Sequence, residues 1–138
     1  MEPILYTHDM LITVIQTKFP ALVHGRDFLV GHPVDPDTNR QTGEPFIAVW
    51  KSAEIPQPDA GTLKAEFAAN ESTYRAMLIR TYRDRLLVAT DGKANPPQDA
   101  PPDVKAQAAA WQQYRQTLRD LTGQPDFPFD VQWPVMPA

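Results

Sequence analysis

Residues 110–137, AWQQYRQTLRDLTGQPDFPFDVQWPVMP, decide how this chain folds. Trp111, Tyr114, Leu118 and Leu121 recur at i, i+3, i+7 and i+10, which places them on one stripe of an α-helix. Gln112, Gln113, Gln116, Arg119 and Asp120 fall on the other side, so the helix is one-sided. Gly123 stands where a C-cap is expected, and Pro125 prevents continuation. Beyond it, Phe127-Pro128 and Trp133-Pro134 predict extended chain, because the residue before a proline is pushed out of the helical region. So many rings cannot all be solvated comfortably, and the stripe headed by Trp111 is their natural home.

That helix needs a partner, and the chain upstream supplies one. Asp59 or Thr62 can cap a long helix over residues 61–90. Leu63, Phe67, Asn70, Tyr74 and Met77 or Leu78 line one face of it, while Ile79, Tyr82, Leu86 and Ala89 line a shifted face further on. Such a change of phase predicts a helix that leaves one packing surface and joins another. A Pro/Asp-rich loop follows at 91–102, and Asp103 is placed to cap a final helix over 104–122. The two helices are expected to form an antiparallel hairpin, with the tail folding back across it.

The N-terminal part reads differently. Thr7 or Asp9 can cap a first helix to about Lys18 with Met10, Leu11, Val14 and Ile15 inward, and Phe19-Pro20 ends it. Strands are expected at 22–30, interrupted by Gly25, and at 46–50, joined by a polar loop over 31–45. Strict alternation puts Phe46, Ala48 and Trp50 on one face and Ile47 and Val49 on the other. Two strands alone are marginal, so the helix must cover them. The chain therefore reads as an α+β protein: a helix with a two-stranded antiparallel hairpin in residues 1–58, and a long bridging helix, helical hairpin and returning tail in 59–138.

Composition narrows the function classes. At 138 residues the chain suits one domain or two very small ones, and its 15 prolines favour short elements with stiff connections. It has no cysteine, which excludes disulfides and thiolate zinc sites. No apolar run approaches the roughly 18 residues of a membrane span, and no secretory leader is expected from the first residues. A net charge of −4 gives no general attraction to nucleic acid or anionic lipid. His8, His24 and His32 lack metal-motif spacing and read as scattered surface or loop histidines. Residues 35–39 begin like a calcium loop, but Arg40 and Phe46 stand where glycine and a bidentate glutamate are needed. No phosphate loop, serine elbow or marked carboxylate pair occurs, so neither a catalytic residue nor a cofactor site is expected.

Two residue sets remain. Arg75, Arg80, Arg83 and Arg85 make the middle helix locally basic, either as a solvated face with intrahelical pairs or as a docking surface for an acidic or carbonyl-rich partner. Trp111, Tyr114, Phe127 and Trp133 either build a small core or leave one or two rings free to grip a partner.

Several of these residues also carry a resemblance. Arg83-Asp84-Arg85-Leu86-Leu87, Thr90-Asp91, Trp111 with Tyr114-Arg115, Leu118-Arg119-Asp120-Leu121, Phe127-Pro128, Val131, Trp133-Pro134 and Pro137 follow one another as in the phage tail assembly chaperone family. One departure is Gly92, where that family commonly has tryptophan. Upstream, the helix ending in aromatic-Pro, Asp27-Phe28, the strand from Ile47 to Trp50, and Pro56 and Pro58 before Leu63 are similar to the XkdW family of prophage tail proteins. The resemblance implies a non-enzymatic chaperone that binds a tail-fibre or other tail protein stoichiometrically in the host cytoplasm. The implied mechanism needs no nucleotide, and charge and hydropathy give no reason to expect a nucleic-acid or membrane partner. The alternative is a structural virion component that caps or links a fibre. Candidate contact residues are Arg83, Arg85, Trp111, Tyr114, Arg115, Arg119 and Trp133.

Overall fold

The first helix, α1 (His8–Lys18), buries Met10, Leu11, Val14 and Ile15, the four residues its periodicity turns inward. The structure is a computed structural model that describes residues 6–138. Thr7 holds the extended N-cap conformation without a side-chain bond, and Asp9 places its charge in the first turn, where the helix dipole favours it. At the other end the Phe19 N–H donates to the Ile15 carbonyl at 2.8 Å before Pro20 diverts the chain.

The first strand is shorter than expected. β1 spans Phe28–Gly31, and residues 22–27 form a turn instead. Asp27 explains the difference. Its carboxylate accepts from the Val23 N–H at 2.8 Å and from the Arg26 guanidinium at 2.8 and 3.0 Å, which closes the loop on itself. The Arg26 hydrogen bond, helped by the Val23 N–H, holds this carboxyl below its usual range. Gly25 supplies the positive φ (94°) that the turn requires.

β2 (Phe46–Trp50) pairs antiparallel with β1 through Phe28–Trp50, Leu29–Val49, Val30–Ile47 and Gly31–Phe46. Ala48 has no partner in this register, so β2 carries a bulge. The bulge overturns the expected alternation: Trp50 and Ile47 now face the same side as Phe28 and Val30, while Phe46 and Val49 are exposed. Phe28 is fully buried with its ring centre 5.8 Å from that of Trp50, and Trp50 also meets Phe19 and donates its indole N–H to the Ile55 carbonyl at 2.7 Å. In the connecting loop the Asp35 carboxylate accepts from the Asp37 and Thr38 N–H groups at 2.8 and 3.0 Å. The residues that start like a calcium loop thus close an ordinary Asx turn.

The expected single helix over 61–90 is two helices. α2 (Ala60–Ala69) begins on Asp59, whose carboxylate accepts from the Thr62 N–H at 2.9 Å. It ends at Asn70, whose own N–H turns to the Phe67 carbonyl and whose side-chain amide donates to the Glu66 carbonyl. A residue that competes for helical carbonyls in this way ends a helix readily. α3 (Glu71–Thr90) then starts afresh. Leu63 and Phe67 of α2 are buried, α2 packs on α1, and Phe67 meets Tyr6 at 5.1 Å. The chain accordingly divides by contacts into Met1–Tyr74 and Arg75–Ala138. That division and the sequence-based one at 58/59 differ by residues 59–74, which hold α2, packed on α1, and the first turn of α3.

The three histidines do not scatter. His8 donates from Nε2 to the Val30 carbonyl at 2.9 Å, and the Val30 N–H donates to His24 Nε2 at 3.2 Å. The His8 ring centre lies 5.7 Å from that of His24 and 5.1 Å from that of His32. Among the described residues no three ligating groups are placed to hold a metal ion. Burial, and then the nearby His8, push the His24 pKa below its ordinary 6.5. The unfolded chain therefore takes up this proton before the folded one does. Stability of this unit should be level above about pH 7 and fall as pH drops through and below 6.5. Protonated His24 cannot accept from Val30, so amide exchange at Val30 should accelerate over the same range. A His24→Gln variant, which keeps an acceptor, should lose most of that pH dependence.

Candidate partner-binding surface

The second unit is built around α4 (Pro102–Arg119), which begins with Pro102 at a first-turn position where a missing N–H costs nothing. Asp103 does not cap it; it lies in the first turn, still favourable to the dipole. α4 is shorter than expected because its end tightens into a 3-10 turn over Asp120–Gly123. Trp111, Tyr114, Leu118 and Leu121 are all buried together with Ala94, and Leu86, Leu87 and Val131 pack on them. The stripe read from the sequence is thus the core of this unit. Burial also raises the pKa of the Tyr114 hydroxyl.

Arg115 holds α4 to the end of α3. Only 9% exposed, it donates from Nη1 to the Leu87 carbonyl and, at 3.0 Å, to Thr90 Oγ1, and from Nη2 to the Asp91 carboxylate at 3.1 Å. The last carbonyls of a helix lack intrahelical partners and carry negative partial charge, so a guanidinium there both satisfies and neutralises them. Gln112 adds a bond to the Ala94 carbonyl at 2.9 Å, in the 3-10 turn Asp91–Ala94.

The helices run antiparallel, as their contacts show. Arg115 reaches residues 87–91, whereas Arg80 stands 5.5 Å from the Phe127 ring and Arg75 5.7 Å from the Phe129 ring, both beyond the end of α4. The tail then returns. Val131 joins the core, the Gln124 side chain bonds both the N–H and the carbonyl of Gln132 (2.8 and 2.9 Å), and Gln107 donates to the Ala138 carbonyl. Phe127-Pro128 is not extended as expected. It lies in a turn with a cis peptide, where the Phe127, Phe129 and Asp130 N–H groups find the Gln124 and Asp126 carbonyls.

The candidate contact residues divide by depth. Trp111, Tyr114 and Arg115 are buried. Arg83 is held against Asp84 at 2.9 Å, and Arg85 lies over the Tyr82 ring at 6.0 Å. Arg85 edges an open shelf of about 480 Å³ with Thr81, Asp84, Val88 and Ala89. Arg115 and Arg119 come together in a polar groove of about 380 Å³ that includes Asp91 and Gln112. Trp133 is 39% exposed. Sequence reasoning passed over Val88, Val135 and Met136, which are 80%, 89% and 50% exposed. Val88 signals itself only by standing off the buried stripe of α3.

Residues 76–138 match the family model described as phage tail assembly chaperone protein, and residues 11–75 match that of the XkdW protein. The matches meet where the contacts divide the chain, and each covers just under half of it. No curated protein and no solved structure matches. Among the described residues no helix is long and apolar enough to cross a membrane.

Arg115→Met should destabilise the second unit by about 1–3 kcal/mol, because Leu87 and Thr90 lose a partner away from water. Arg119→Ala should stay within about 0.5 kcal/mol, as exposed substitutions do. Urea unfolding followed by circular dichroism distinguishes the two.

Proposed function

We propose that this chain is a tail assembly chaperone that binds a tail-fibre or other tail protein stoichiometrically and assists its folding and assembly. The observation that carries the reading lies in residues 76–138, which match the chaperone family: Met77, Val88, Val104, Phe129, Trp133, Val135 and Met136 are all exposed there. Large apolar side chains left in water supply protein-binding surface where they adjoin one another. Arg85 and Arg119 at the neighbouring grooves add donors suited to carboxylates and carbonyls.

The mechanism is coverage. An immature fibre subunit exposes apolar surface and unpaired strand edges, both of which aggregate. A partner with apolar side chains and guanidinium groups lowers the free concentration of that surface until subunits associate. No nucleotide enters this scheme, and no bond is made or broken. The action belongs in the host cytoplasm, before the particle is complete.

Co-expression with the tail-fibre protein of the same genome tests the reading. The intact chain should raise soluble fibre and co-elute with it. Val88→Asp and Val135→Asp should each lower the yield several-fold while the chain's own circular dichroism stays unchanged. Equal fibre yield without the chain ends the proposal. Fixed copy number in purified virions would favour the structural alternative.

A further inference from the structure

The α4 face that carries Trp111 borders a groove of about 590 Å³. Pro96 and Pro97 line it together with Val104, Gln107, Ala108 and Trp111 of α4, and so do the chain's own Pro137 and Ala138. Val104, Gln107, Ala108 and Trp111 fall at i, i+3, i+4 and i+7, so one helix face supplies all four. The size is that of a ligand pocket, and the lining is mostly apolar.

We propose that this groove binds an extended, proline-bearing apolar segment of the client that carries a carboxylate, and that the chain's own Trp133–Ala138 tail competes for it. The inference rests on the chaperone reading and deepens it. Three observations carry it. The tail already shows what the groove accepts: Pro137 lines it, and the Gln107 amide donates to the Ala138 carbonyl. An aromatic ring flanked by prolines, with a side-chain donor for a carbonyl, suits a proline-rich extended chain, which loses little entropy on docking. Lys93 is the one charged side chain among the described residues of the lining, its ammonium 4.8 Å from the Trp111 ring centre, so a carboxylate beside the proline meets its complement.

The tail is held lightly enough to be displaced. Trp133, Val135 and Met136 keep much of their surface in water, and residues 131–138 form no helix or strand. Release of the tail exposes the rest of the groove and frees Trp133 itself for contact.

The test uses the full chain and a fluorescein-labelled QWPVMPA peptide, as free acid and as amide, read by fluorescence anisotropy. A Trp133→Ser/Pro137→Gly chain, with its tail loosened, should bind the acid at least fivefold more tightly than the unaltered chain. Amidation should weaken binding at least threefold. Val104→Glu places a charge in the groove at an exposed position near the helix N-terminus, where the fold tolerates it. It should abolish binding with unchanged circular dichroism. Peptide that binds no better to the tail-loosened chain, or equally well to Val104→Glu, overturns the proposal. So does full rescue of the fibre protein by Val104→Glu, an outcome that leaves the chaperone reading standing. If the unaltered chain fails to rescue fibre at all, the chaperone reading falls, and with it the client named here.

Discussion

The second unit depends on one buried guanidinium. Arg115 joins the carbonyl of Leu87 and the hydroxyl of Thr90, at the end of α3, to the carboxylate of Asp91 just beyond it, from a position inside the stripe of α4. Without it the α3 terminus would present unpaired carbonyls to a small apolar core. With it, α3 ends where α4 can lie against it, and Leu86 and Leu87 pack on the core that Trp111 heads. The tail depends on the same arrangement, since Val131 packs on that core.

Much of this was legible in residue spacing. The Trp111 stripe, the inward face of α1 and the Asp59 cap all lie where periodicity and capping chemistry place them. Arg115 was legible too, but only to a reader willing to bury a charge: it stands four residues after Trp111 and three before Leu118, on the core side. Other features depend on contacts that no local pattern encodes. The bulge at Ala48 puts Ile47 and Trp50 on one face, opposite Val30 and Phe28, where strict alternation would separate them. Asn70 breaks a helical pattern through its own side chain. The histidines come from α1, a turn and the residue after β1, and only tertiary structure gathers them around His8.

The division of labour in the second unit follows depth. The residues most informative in the sequence, Trp111, Tyr114 and Arg115, are largely spent on holding the unit together. The large apolar side chains left exposed come instead from positions with weak sequence signals, Val88, Val135 and Met136 among them. Each family match falls almost wholly within one compact unit.

The first unit exposes Leu29, Phe46 and Val49 on a two-stranded sheet, a combination that invites edge-to-edge growth. The bulge interrupts β2 after two residues, twists it and leaves Ala48 out of register. A strand so short and irregular offers another chain no flat run of donors and acceptors to extend. The kink that reorients Ile47 and Trp50 toward the core therefore also serves as a guard against amyloid-like stacking.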